Sequence, residues 1–152
     1  MKTYQVQYSY TDQESGKSKK SNILVVAEDT IDCSVTALQI EDLEMVITNI
    51  KDLGNVIYVD RLEEHKVENE MENFFWQSTV EIPTEDTAPL KETMFIYADT
   101  QDHANEYAHG IMRKNSIFTN YQIISTKRTN LECALKSLSV NKEKTLFQDA
   151  EV

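Results

Sequence analysis

Glycine and proline are scarce in this chain, with three glycines and two prolines among 152 residues. Few turns therefore rest on special backbone angles, and long flexible linkers are excluded. The glycines stand apart at Gly16, Gly54 and Gly110, so no glycine-rich phosphate loop can be assembled from them. Only two cysteines occur, Cys33 and Cys133, and their separation matches no metal-ligand spacing. No apolar run approaches the roughly 18 residues of a membrane-spanning helix. Basic residues are also short: 15 Lys and Arg against 26 Asp and Glu leave a net charge of −11. Phosphate backbones repel such a chain, so direct nucleic-acid binding is disfavoured. GxSxG, HExxH and CxxC patterns are all missing, so neither an enzyme nor a cofactor or metal is expected.

What remains is a soluble, ordinary composition with strong local patterning. Thr3–Tyr10 alternates, with Tyr4, Val6, Tyr8 and Tyr10 on one side, the period of a half-buried strand. Thr11–Lys20 is polar and contains Gly16, which predicts a long hairpin loop. Ser21–Glu28 carries a continuous apolar run and reads as a strand covered on both faces. Asp29 or Thr30 then caps a helix whose stripe is Ile31, Val35 and Leu38, ending near Ile40–Asp42. Met45–Lys51 and Val56–Asp60 are further strands, and Arg61–Asn73 is a charged connector with at most one or two helical turns.

The second half follows the same order. Phe75–Ile82 and Glu92–Ala98 are strands, and Asp99 and Thr100 cap a helix with Ala104, Tyr107, Ala108, Ile111 and Met112 on one stripe. Thr119–Lys127 and Asn130–Leu135 are the last strands. The fold class expected is α+β: two tandem ββαβ pseudo-repeats, mainly antiparallel, with helices packed on one face of the sheet. The halves either extend one sheet or form two small ones. The divisions are 1–60, an acidic connector over 61–73, a second unit over 74–136, and a loose polar tail over 137–152, the whole reading as one compact pseudo-dimeric domain.

This layout resembles an uncharacterised family of bacterial and bacteriophage proteins, a domain of unknown function with two consecutive ββαβ units. The likeness is carried by the aromatic-led first strand, the polar loop with Ser15-Gly16-Lys17, and Val46-Ile47-Thr48-Asn49-Ile50. It covers roughly Lys2–Leu135. It implies a small cytoplasmic or phage-encoded protein, and it supplies no functional residues.

Function is therefore read from the side chains alone. A strand following directly on the first residues gives no secretory leader, and a reducing cytoplasm with free thiols is expected. The leading expectation is a non-enzymatic, acidic binding or accessory protein acting through a protein–protein surface. Its sharper form is a phage-encoded inhibitor that mimics DNA, with Glu63, Glu64, Glu68, Glu70 and Glu72 as partner-binding residues. Free sheet edges add a route to a homo-oligomer. The alternative is a module for single-stranded nucleic acid that stacks bases on Tyr4, Tyr8 and Trp76 beside Lys17, Lys19 and Lys20. A third class, centred on His103, Glu106 and His109, lacks the second Glu-x-x-His of a di-metal site, and its imidazoles fall ~120° apart on the helix. Cys33 has no histidine or carboxylate spaced to activate it, so a buried thiol is expected there.

Overall fold

The computed structural model describes residues 1–40, 45–114 and 120–140. Among these residues it is α+β, with two helices, and the strands form two separate sheets. The chain divides into two compact units. The first comprises Met1–Gly54, Arg61–Asn69 and 130–140; the second comprises Asn55–Asp60 and Glu70–Thr129. These are not the halves 1–60 and 74–136 read from the sequence, and the reason lies in the pairing of two short strands.

In the first unit, β1 (Lys2–Thr11) and β2 (Ser18–Ala27) form a hairpin, followed by α1 (Thr30–Leu38) and β3 (Met45–Asp52). The hairpin loop is shorter than the sequence suggested. Lys19 and Lys20 belong to β2, opposite Tyr10 and Ser9, and only the residues between Thr11 and Ser18 turn. Asp12 organises that turn by accepting the Gly16 N–H and donating its own to Lys17. Gly16 sits at φ +69°, where a side chain is disfavoured.

The sheet order is β3-β1-β2, then β9 (Leu131–Lys136) and β5 (Leu62–Glu63). β9 runs parallel to β2, and β5 parallel to β9. The alternation in β1 holds: Tyr4, Val6 and Tyr8 are buried in one cluster with Ile23, Val25 and Ala27 of β2. The start of the predicted polar tail is also built in. Ser137 continues the β9 ladder by donating to Val26 O, and Val140 is buried.

The first helix is capped as expected. Asp29 accepts the Asp32 N–H at 2.8 Å, which satisfies a first-turn donor, and Asp32 reaches back to accept the Glu28 N–H at 3.0 Å. Its buried face is not the one expected. Ile31, Val35 and Leu38 are 75%, 52% and 51% exposed, whereas Cys33, Thr36 and Ala37 are buried. Small residues four apart let the helix backbone lie close to the sheet, and the larger side chains are turned outward.

The second sheet has the order β4 (Val56–Val59), β7 (Leu90–Ala98), β6 (Phe74–Ile82) and β8 (Gln122–Arg128). β6 pairs antiparallel with β7 and β8, and β4 pairs parallel with β7. Helix α2 (Gln101–Lys114) follows β7, and Thr100 Oγ1 caps it by accepting the His103 N–H. Ala104, Ala108 and Met112 are buried against Val80, Met94 and Ile96; Ile111 packs on this cluster, but Tyr107 is half-exposed. No helix among the described residues is long and apolar enough to cross a membrane.

Candidate functional site

A cleft of about 280 Å³ opens on the first unit, lined by Tyr8, Tyr10, Lys66, Glu68, Asn69 and Glu132. Three stretches of chain build it. Strand alternation places Tyr8 and Tyr10 on the same side of β1, with ring centroids 5.9 Å apart and planes at 41°. The connector after β5 brings Lys66, Glu68 and Asn69 over them.

Glu132 arrives through a bulge. Asn22 pairs with Leu131 and Leu24 with Ala134, so Glu132 and Cys133 together oppose the single Ile23. One extra residue in a strand re-aims the side chains around it. Cys133 therefore enters the tyrosine cluster while the neighbouring Glu132 also reaches it. The Tyr8 hydroxyl donates to Glu132 Oε2 at 3.4 Å, and Lys66 Nζ lies 3.8 Å from the same oxygen. Tyr8 is 1% exposed and forms the floor; Tyr10 is half-buried and Glu68 and Asn69 are exposed. The cleft thus offers two aromatic rings, two carboxylates, one amide and one ammonium group.

The five glutamates of the leading reading do not gather here. Glu68 lines the cleft, and Glu63 and Glu64 are exposed in the same unit. Glu70 and Glu72 belong to the second unit, where the Glu70 N–H donates to the Tyr97 hydroxyl and Glu72 turns the chain at φ +69°. The connector contains the short strand β5 and no helix among the described residues.

The residues of the nucleic-acid alternative are dispersed as well. Tyr4 is a core residue at 2% exposure. Trp76 lies in the second unit, packed against its core, and its indole N–H donates to Ala98 O at 2.9 Å. Lys17, Lys19 and Lys20 are exposed, and Lys19 is held by Asp12 at 2.7 Å. That contact draws the Asp12 carboxyl below its usual range and raises Lys19. Only Tyr8 of this set reaches the cleft.

The histidines of α2 serve different partners. His103 Nδ1 meets Asp99 Oδ1 at 2.5 Å, while His109 Nδ1 meets the Tyr121 hydroxyl at 3.0 Å. Among the described residues, no group of three or more His, Cys, Asp or Glu side chains is placed to hold a metal ion. Cys33 is fully buried, and burial together with the nearby Asp32 pushes its thiol up to about 12. A thiol with that value is neutral and a poor nucleophile.

No protein-family model matches the chain, and comparison with curated proteins finds no relative. The site therefore rests on its own geometry.

Sequence reasoning passed over Tyr10, Lys66, Asn69 and Glu132. For Glu132 a signal was present: it is the one carboxylate in an otherwise apolar run, Leu131 to Leu135. Lys66 and Asn69 carried none, because they reach the cleft only through the path of an irregular segment.

Proposed function

We propose that this chain is a non-enzymatic, cytoplasmic accessory protein that binds a protein partner through the surface around the Tyr8–Glu132 cleft. We further propose that it is built of two copies of one ββαβ module, each followed by a strand that joins the other copy's sheet. The second proposal supplies the argument for the first.

Support for duplication comes from the registers. β1 is flanked by β2 and β3 as β6 is flanked by β7 and β8. The third strand of each set slips register at one place, opposite Gln7/Tyr8 in β1 and opposite Thr79/Val80 in β6. A parallel strand lies beyond β2 and beyond β7, and each carries an extra residue near its start. Both helices dock through fully buried small residues four apart, Cys33 and Ala37 in one and Ala104 and Ala108 in the other. Chance does not readily repeat two bulges at matching positions, since each disrupts a ladder.

The observation that carries the functional reading is a difference between matching positions. Tyr8, Tyr10 and Glu132 correspond by register to Val80, Ile82 and Ile57. Those three pack in or against the core of the second unit. A scaffold position that accepts an apolar residue in one copy has no structural need for a carboxylate in the other. Polar groups kept at such a place indicate recognition. The net charge of −11 further favours a basic partner surface. A phage-encoded inhibitor offering carboxylates in place of DNA phosphates is one form of this reading. Stacking of single-stranded nucleic acid gains less support, because the Tyr4 and Tyr8 rings are buried.

The test is affinity capture from the native host with the intact protein and with Glu68→Lys, Glu132→Lys and the loop control Glu85→Lys. Capture of one protein that is lost in the first two and retained in the third is expected. Equal capture by all four would refute the cleft as the contact.

A further inference from the structure

We infer that the cleft receives a basic side chain of the partner, an alkylammonium or guanidinium group, and that Lys66 holds its place in the unbound protein. This rests on the protein-binding reading proposed above and names the chemistry of its contact.

The cleft's chemistry is selective for positive charge. Glu68 and Glu132 are acceptors on its rim, and the half-buried Tyr10 adds an aromatic ring beside them. The single cation in the lining is Lys66, so its formal charge is −1 before any ligand enters. An anion would meet two carboxylates with one ammonium to offset them, in a chain of net charge −11. The volume of about 280 Å³ corresponds to roughly nine waters at ~30 Å³ each. That is room for the head and distal methylenes of one lysine or arginine, and too little for a folded peptide segment.

Lys66 shows how the site handles such a group. Its ammonium nitrogen stands 3.8 Å from Glu132 Oε2, beyond hydrogen-bond distance. Its side chain is 22% exposed, and that of Glu132 is 42% exposed. A long, partly solvated ion pair contributes little stability, so this contact with Glu132 opposes an incoming cation only weakly. Lys66 then acts as an intramolecular competitor. It offsets one of the two rim carboxylates when the partner is absent and competes with an external cation when the partner is present.

The experiment uses the full-length, isotope-labelled protein and nuclear magnetic resonance titration. The probes are Nα-acetyl-lysine methylamide, Nα-acetyl-arginine methylamide and, as a free amine, spermidine. The amino-acid probes are expected to shift the Tyr8, Tyr10 and Glu132 resonances. Lys66→Met should bind them several-fold more tightly, and Glu132→Gln about tenfold more weakly, the loss of one charge-assisted contact. Glu68→Gln serves as a second variant should Glu132→Gln disturb the fold. No localised shift in either the wild type or Lys66→Met, or affinity indifferent to both glutamine variants, overturns the inference. Tighter binding of spermidine than of both amino-acid probes also overturns it, since the ligand would then be a free amine. If the probes fail while Glu132→Lys still abolishes partner capture, the cation inference alone falls. If the probes bind while nothing is captured, the protein-binding reading alone falls.

Discussion

The Tyr8 hydroxyl donates to Glu132 Oε2 across 3.4 Å, joining residues 124 positions apart. The bond ties β1 to β9 in a sheet where they are not neighbours, because β2 lies between them. Tyr8→Phe keeps the ring and removes the donor. The expected cost is about 0.5–1.5 kcal/mol, read from chemical denaturation with an unchanged m-value. Tyr8→Ala removes a ring that is 1% exposed and should cost at least about 3 kcal/mol. Equal losses for the two variants would mean that the hydroxyl, not the ring, holds this position.

Helix α1 gives an opposite expectation from the one its sequence suggests. Ile31 and Leu38 are 75% and 51% exposed, so Ile31→Lys and Leu38→Lys should each change stability by no more than about 0.5 kcal/mol. Ala37 is fully buried where the helix meets the sheet, and Ala37→Leu should cost about 1–3 kcal/mol by overpacking. Thermal melts of the three variants would settle the order. A large loss for Ile31→Lys would mean that the apolar stripe faces a core after all.

Much of the fold was legible because local signals agreed with the final structure. The alternation of Tyr4, Val6 and Tyr8 gave β1, and Asp29 gave the start of α1. Three things were not legible. The orientation of α1 depends on Cys33 and Ala37 being small enough for close approach, which apolar periodicity does not weigh. The destinations of β4 and β9 are set by ladders to distant strands, and nothing in Val56–Val59 or Leu131–Lys136 states the partner. The cleft was half seen: Tyr8 and Glu68 stood in two competing readings, and only the fold brings them together.

The exposed pair Asp99–His103 makes stability depend on pH in a defined window. Its hydrogen bond and charge raise the His103 imidazole above its usual 6.5 and lower the Asp99 carboxyl below its usual 3.8. The raised histidine contributes stability that is fully present below 6.5 and is lost as pH rises through its folded value. The lowered aspartate contributes stability that is present above 3.8 and is lost as pH falls through its own folded value. The pair is therefore worth most between those limits. His103→Gln should lower the melting temperature at about pH 5.5 and leave it nearly unchanged at about pH 9. A pH-independent difference would mean that the residue acts through its contact with Tyr107, whose ring centroid lies 6.2 Å away.

Each sheet takes a strand from the far part of the chain, β9 in the first and β4 in the second, and this has a direct consequence for the chain in pieces. A fragment of residues 1–69 holds β1, β2, α1 and β3 but lacks β9, which lies between β2 and β5. Its own β4 would be left without β7. The complementary fragment of residues 70–152 holds β6, β7, α2 and β8 but lacks β4, and its β9 would be left without β2. Each fragment therefore exposes a strand edge and an apolar face that the other covers. Leu131, Cys133, Ala134 and Leu135 are all buried in β9, so its removal uncovers several side chains at about 1.5–3 kcal/mol for each large one. That is a substantial share of the stability of a domain this size. Neither fragment alone should show a cooperative thermal transition as a monomer, and an equimolar mixture should recover one with 1:1 stoichiometry by sedimentation. A cooperative, monomeric transition in residues 1–69 alone would show that β9 is dispensable to the first sheet and would defeat the exchange as a stabilising feature.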